Sequence, residues 1–203
     1  MHSHEPYVNQ GVEPDDLEYV IRHMRELDKT EADCIGADVS GTARLLVGVA
    51  TTVYTAYYKD LPTFIFGTVQ ILPGVEQLFG FGTNDTRRVM PAVTWFTDTY
   101  WLPEMFESGT RRIQVHIPST HVASLKWLED FGMLQECELR DYSINGVPML
   151  QLAYTRREYE SNVLFQQQEG SGSSSGRDTG PGEDQRGYAD GSRGGTQETG
   201  VLQ

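Results

Sequence analysis

The chain predicts an α/β domain: a mixed, mainly antiparallel sheet with helices on both faces, followed by a glycine-rich tail. Three observations lead there. Residues 111–133, RRIQVHIPSTHVASLKWLEDFGM, read as a strand, a tight turn and an amphipathic helix; residues 51–72 are dense in β-branched and aromatic side chains about a turn; and Asn145-Gly146 joins two further strand-like runs. Strands interleaved with helical stretches need a helix layer over each sheet face, because every apolar face must be buried against another element.

In chain order, Leu17, Val20, Ile21, Met24 and Leu27 recur at spacings of three and four behind Pro14 and a group of acids, which predicts one first helix. A shorter helix follows Ser40, with Leu45, Leu46 and Val49 on its apolar side. TTVYTAYYKD and TFIFGTVQIL predict a hairpin about Asp60-Leu61-Pro62, closed by Pro73-Gly74. LFGFGT predicts a short strand, and Val89, Val93, Phe96 and Tyr100 mark the buried side of a long helix that Pro103 kinks or ends.

Next, Ile113, Val115 and Ile117 alternate with Gln114 and His116, the period of a strand with one buried face, until Pro118 removes a ladder donor. Ser119 or Thr120 caps the helix striped by Val122, Leu125, Leu128 and Met133, and Gly132 stops it. QECELRDYSI and VPMLQLAYT, joined at Asn145-Gly146, close the domain as a hairpin. The predicted order is ααβββαβαββ.

Composition narrows the function. A net charge of -13 argues against a nucleic-acid surface, which needs clustered Lys and Arg. Two cysteines, Cys34 and Cys137, are too few for a disulfide framework or a cysteine zinc site. His116 and His121 have a proline between them and no third ligand nearby, so no metal site is expected. No window approaches the roughly 20 apolar residues of a membrane span. Residues 1–13 read as a flexible lead, 14–160 as one domain, and 161–203 as a Gly/Ser-rich tail expected to be disordered for want of apolar groups to bury.

Over residues 14–157 the element order, with Gly132-Met133 closing the helix after a strand, resembles the GNAT superfamily of acetyltransferases. That family's pattern N-x-x-A-x-x-L-Y-x-x-x-G-F falls on His121, Ser124, Trp127, Leu128, Gly132 and Met133. The resemblance sets His121 where the family has asparagine and Leu128 where it has the tyrosine that protonates the departing thiolate; leucine has no proton to give. Its phosphate-binding pattern R/Q-x-x-G-x-G/A falls on Arg87 to Ala92. Arg87 and Ala92 agree, Arg88 adds a second charge, Met90 replaces a glycine and Pro91 deletes an amide donor. The resemblance therefore implies a degenerate acetyl-CoA site at Arg87, Arg88, Ala92 and His121. Glu76 and Glu104 fall at no motif position and read as surface acids.

A narrower resemblance is to the small GNAT-like internal virion or morphogenesis proteins of short-tailed, T-seven-like phages, carried by Leu78 to Thr83, Ile113 to Ile117 and Ser119 to Gly132. It implies a role in particle assembly, in the virion or the host cytoplasm, with other virion or assembly proteins as partners, no cofactor and no turnover. The alternative is an active N-acetyltransferase that moves acetyl from acetyl-CoA to an amine, with Tyr142 or Tyr100 as the acid.

Overall fold

The computed structural model describes residues 5–171. It begins with strand β1 (Tyr7–Gln10) and helices α1 (Pro14–Arg22), α2 (Glu26–Cys34) and α3 (Val39–Val49). Strands β2 (Thr52–Tyr58), β3 (Leu61–Leu72) and β4 (Val75–Gly82) follow, then helix α4 (Thr86–Phe96), a π-helical turn (Thr97–Trp101) and helix α5 (Leu102–Glu107). Strand β5 (Arg112–Pro118), helix α6 (Val122–Asp130), strands β6 (Leu134–Leu139) and β7 (Met149–Thr155), and helix α7 (Arg156–Ser171) complete it.

The seven strands form one sheet in the order β1-β2-β3-β4-β5-β7-β6, antiparallel at every junction but one. One face packs Ile65, Phe79 and Phe81 against Val20, Met24 and Ala43 of the α1–α3 segment. The other packs Tyr54, Phe66, Ile113 and Leu152 against Val93, Trp101 and Leu128 of α4, the π turn and α6. Each such side chain, fully buried, contributes roughly 1.5–3 kcal/mol. The mixed sheet with helices on both faces is the architecture the sequence predicts.

The single parallel junction places the site. β4 and β5 pair through only three positions, Val75↔Arg112, Glu76↔Ile113 and Gln77↔Gln114, and then part. A wedge opens between them.

Several elements differ from expectation. Within the segment read as a flexible lead, β1 pairs along β2 from Tyr7↔Tyr57 to Gln10↔Tyr54, and the Tyr7 and Tyr57 rings stack at 4.9 Å. The expected first helix is two helices, because Met24 bridges Thr83 and the Arg25 amide donates to the Gly82 carbonyl at 2.9 Å, pulling the chain out of the helix. The first hairpin turns at Lys59 and Asp60, both left-handed with φ of 53° and 61°, so Leu61 and Pro62 belong to β3. Positive φ at both central residues is what matches the strand twist.

Pro103 does not end the helical run after β4; it sits in the first turn of α5, where its missing amide costs nothing. The last hairpin is real, but its ladder closes at Leu139↔Met149, so Asn145-Gly146 lies inside a longer loop rather than forming a two-residue turn. That loop is tied to α2: the Ile144 amide donates to the Cys34 carbonyl at 2.8 Å and Asn145 Nδ2 to Cys34 Sγ at 3.4 Å. Finally, α7 runs through the expected boundary at 160, with Tyr159 stacked on Phe106 and Asn162 Nδ2 donating to the Tyr154 hydroxyl at 2.9 Å. The rest of the expected tail, residues 172–203, lies outside the described residues. No described helix is long and apolar enough to cross a membrane.

Candidate functional site

The wedge between β4 and β5 opens into a cleft of about 860 Å³. Phe66, Trp101 and Ile117 line it on one side of the sheet, and Met24, Leu46 and Phe79 on the other, so the cleft passes through the sheet plane. Backbone direction within β4 follows from Gly82, whose N–H goes to Asp28 and whose carbonyl accepts from Arg25, both away from β3. Residues of an antiparallel strand alternate between facing and leaving their partner. Gly80 and Leu78 therefore also turn their N–H and C=O groups away from β3; the Leu78 N–H closes the last pair with β5, Gln77↔Gln114, so the Leu78 carbonyl and both groups of Gly80 face the wedge. Gly80 is needed for a second reason: a Cβ there would meet the Phe64 ring at 2.7 Å.

The outer end of the wedge is built differently from a phosphate cradle. Helix α4 already begins at Thr86, so Arg87 to Ala92 form its first turns instead of a loop. Amides of the preceding turn are spent internally, Thr83 N on Thr63 O at 2.9 Å, Thr86 N on Thr83 O at 3.1 Å and Arg88 N on Asp85 O at 2.8 Å. Beside them the buried Asp28 carboxylate accepts from Gly82 N and from Arg25 Nε, each at 2.8 Å. Coenzyme A, which the fold family implies, does not fit here through its pyrophosphate. That group needs a row of free amides, and here the Gly82 amide is taken by Asp28 and those of Thr83, Thr86 and Arg88 by carbonyls.

Of the four residues the resemblance assigned to the cofactor, only Arg87 borders the cleft. Arg88 turns to Asp85 at 3.0 Å and lies over the Tyr58 ring at 5.2 Å; the hydrogen bond to Asp85 raises its guanidinium pKa. Ala92 is half-buried on α4, outside the cleft lining. His121 is buried ahead of α6, with Nδ1 3.5 Å from Glu31 Oε2 and Nε2 without a partner among the described residues.

The two candidate acids are also separated. Tyr142 lines the cleft, its hydroxyl 3.3 Å from His116 Nδ1, while His116 Nε2 lies 3.2 Å from Gln151 Oε1. Tyr100 sits on the π turn, exposed and edge-on to Trp95 at 5.3 Å, outside the cleft lining. Leu128 does line the cleft and is buried, an apolar side chain where a proton donor was sought.

Glu76 overturns its reading as a surface acid. It is 2% exposed, and Oε2 has no hydrogen-bond partner among the described residues. Extending the alternation of LFGFGT two residues toward the amino terminus puts Glu76 on the Leu78 and Gly80 side of β4, a signal hidden by starting the strand too late. Glu104 is exposed as expected. Asp28 was missed because it fell in a stretch read as the end of one long helix. No cluster of three potential metal ligands occurs among the described residues.

Known structures share this fold. An acetyltransferase matches with a TM-score of 0.61 at 14% identity, over 79% of this chain and 88% of its own. Ard1 from Thermoplasma volcanium matches at 0.59 and 10% identity, over 74% and 97%. The ribosomal-protein-S18-alanine N-acetyltransferase from Escherichia coli matches at 0.54 and 13% identity, over 74% and 93%. The fold is thus that of the GNAT acyl-CoA N-acyltransferases. No family model matches the sequence, and no curated protein matches it either.

Proposed function

We propose that this chain is a binding module on the GNAT fold, used in assembling a phage particle, rather than an enzyme that turns over acetyl-CoA. The observation that carries the reading is the outer end of the wedge, where helix α4 runs through Arg87 to Ala92 and Asp28 holds the Gly82 amide. A phosphate there meets amides already spent at Thr83, Asp85, Thr86 and Arg88 and a carboxylate that is paired with Arg25 and adds no donor. The assembly role and its partners, other virion or assembly proteins, rest on the resemblance of Leu78 to Thr83, Ile113 to Ile117 and Ser119 to Gly132 to internal virion proteins.

The test is calorimetry of the purified chain with acetyl-CoA, together with thiol release in the presence of small amines and peptide amino termini. No saturable heat and no release above the buffer rate are expected. Tight binding that Arg87→Ala weakens would overturn the reading.

One observation favours the alternative, an active N-acetyltransferase. Glu76 is a buried carboxylate without a partner on one oxygen, beside the point where the strands part. A carboxylate is the group that serves as general base toward an amine, and Tyr142 on the cleft wall carries a hydroxyl that can serve as the acid, although Glu76 itself lies just outside the cleft lining. Amine-dependent turnover abolished by Glu76→Gln would establish this second reading in place of the first.

A further inference from the structure

We propose that Trp95 and Tyr100, on the outer side of α4 and the π turn, form an aromatic corner that docks an arginine-bearing segment of a partner protein. Both residues lie outside the cleft lining, so the surface is separate from the cleft and does not depend on what the cleft binds.

The π turn builds the corner. Val89, Val93, Phe96 and Tyr100 follow α-helical spacing, and an unbroken α-helix would turn all four toward the sheet. The π turn at Thr97–Trp101 closes its bonds over one residue more than an α-helix does, which shifts the stripe by one place. Trp101 takes the buried position, 3% exposed, and Tyr100 swings out to 53% exposed. It lands beside Trp95, itself 60% exposed, with the ring centroids 5.3 Å apart and the planes at 77°. At about 3.6 residues per turn, positions as far apart as these two stand on different faces of an α-helix. Here they share one face and make two walls of a corner open to solvent.

Charge names the occupant. From Val89 to Thr110 the chain carries Asp98, Glu104 and Glu107 and no Lys, Arg or His. All three acids are exposed, and none makes an ion pair among the described residues. Asp98 follows Trp95 by three residues and Glu104 follows Tyr100 by four, spacings that bring side chains together on a helical face. Bases on neighbouring elements are engaged elsewhere: Arg88 with Asp85 at 3.0 Å, Lys126 with Asp130 at 2.9 Å, and Arg156 Nη2 with the Thr110 carbonyl at 3.1 Å.

A cation over the face of Trp or Tyr is attracted by the ring, and flanking carboxylates add to that attraction. Arginine suits the corner better than lysine, because its planar guanidinium stacks on a ring while its outer donors reach a carboxylate, and because it sheds water more easily. A second copy of the chain does not suit it. A two-fold contact through this face sets each unpaired acid against an identical acidic surface, in a chain of net charge -13.

The test uses the full chain and end-capped Gly-Arg-Gly-Arg-Gly, with matched lysine and glutamine peptides. Binding is followed by the magnetic-resonance shifts of the amides of residues 94–101 and of the Trp95 indole N–H. The arginine peptide is expected to shift them saturably and at least about fivefold more tightly than the lysine peptide, with no shift from glutamine. Trp95→Ala and Asp98→Asn are each expected to weaken binding by about fivefold with an unchanged melting temperature, since both side chains are exposed. Should Trp95→Ala lower the melt, Tyr100→Leu, which keeps bulk and removes the ring, reads the same loss. The proposal is overturned if no arginine peptide binds saturably, if lysine binds as tightly, or if the variants leave affinity unchanged. It is also overturned if Trp95→Ala abolishes self-association of the free chain, which makes a second copy the occupant. The same holds if Arg177→Gln, Arg186→Gln and Arg193→Gln, made together, shift the Trp95 signal without peptide, which makes the occupant this chain's own arginines.

Discussion

The Asp28 carboxylate accepts a hydrogen bond from the Gly82 amide at 2.8 Å, joining the first turn of α2 to the last residue of β4. The same oxygen accepts from Arg25 Nε at 2.8 Å, and the Arg25 amide returns a bond to the Gly82 carbonyl at 2.9 Å. Both backbone groups of Gly82 are thus satisfied by one short stretch of chain. That junction breaks the first helical run in two, fixes which β4 groups face the wedge, and sets the Arg25–Asp28 ion pair at its outer end.

Asp28→Ala removes the acceptor from a buried amide and the partner from Arg25. A buried donor left unsatisfied costs about 1–3 kcal/mol. Urea denaturation is expected to show a loss in that range, with a smaller loss for Asp28→Asn, which retains a carbonyl acceptor. Equal losses for the two substitutions would mean that the side chain matters for packing and not for the Gly82 bond.

Two glycines separate space from conformation. A Cβ on Gly67 would lie 2.1 Å from the Thr52 carbonyl oxygen, a backbone atom in the centre of the sheet, whereas a Cβ on Gly48, on the exposed side of α3, meets nothing within 4 Å. Gly67→Ala is therefore expected to destabilise by about 1–3 kcal/mol or more. Gly48→Ala is expected to stabilise by roughly 0.5–1 kcal/mol, because alanine loses less backbone entropy in a helix. Thermal melts of the two variants should move in opposite directions.

Strand alternation and helix stripes made most of the fold legible, since they report burial directly: Ile113, Val115 and Ile117 are buried on one sheet face, and Leu128 lies under α6. What the sequence hid were the long-range bonds that override local pattern. Leu27 continues the spacing of Leu17 and Val20, yet the Gly82 backbone draws Met24 and Arg25 out of the helix between them. Asn145-Gly146 has the residues of a tight turn, yet Cys34 holds Ile144 and Asn145 in a wider loop. The site was less legible still. Arg87 to Ala92 match a loop pattern by residue type, but whether they form a loop or a helix depends on where α4 starts, and a one-dimensional pattern carries no such information.

The boundary drawn at residue 160 shows the same limit, and it can be tested. Asn162 lies beyond it but donates to the hydroxyl of Tyr154, which is 4% exposed on β7. Asn162→Ala is expected to cost about 1 kcal/mol, the net worth of one such bond. An unchanged urea midpoint would restore the boundary.

The acid-range stability of the sheet is expected to depend on Arg112. This side chain on β5 reaches across the sheet face to Glu136 on β6, with Nη1 donating to Oε1 at 2.7 Å, while Gln151 on β7 donates to Oε2 at 2.9 Å. The Arg112 hydrogen bonds hold the Glu136 carboxyl down to about 2, against the opposing effect of burial and with further help from Gln151. In the unfolded chain the same group titrates near its ordinary value, about 4.3. A carboxyl depressed in the native state contributes stability above the unfolded pKa, and that contribution is lost as pH falls toward the folded one. Glu136 is 39% exposed, so solvent screening keeps the pair near the order of a surface bridge, about 1 kcal/mol or less. Arg112→Met removes the main cause of the depression while keeping much of the apolar stem. The stability difference between wild type and Arg112→Met, measured by urea denaturation across the acid range, should therefore be largest near neutral pH and shrink from about pH 4.5 toward pH 2. A difference that stays constant over that window would show that Arg112 acts through its hydrogen bond to Gln114 Oε1, at 2.7 Å, and not through the Glu136 charge.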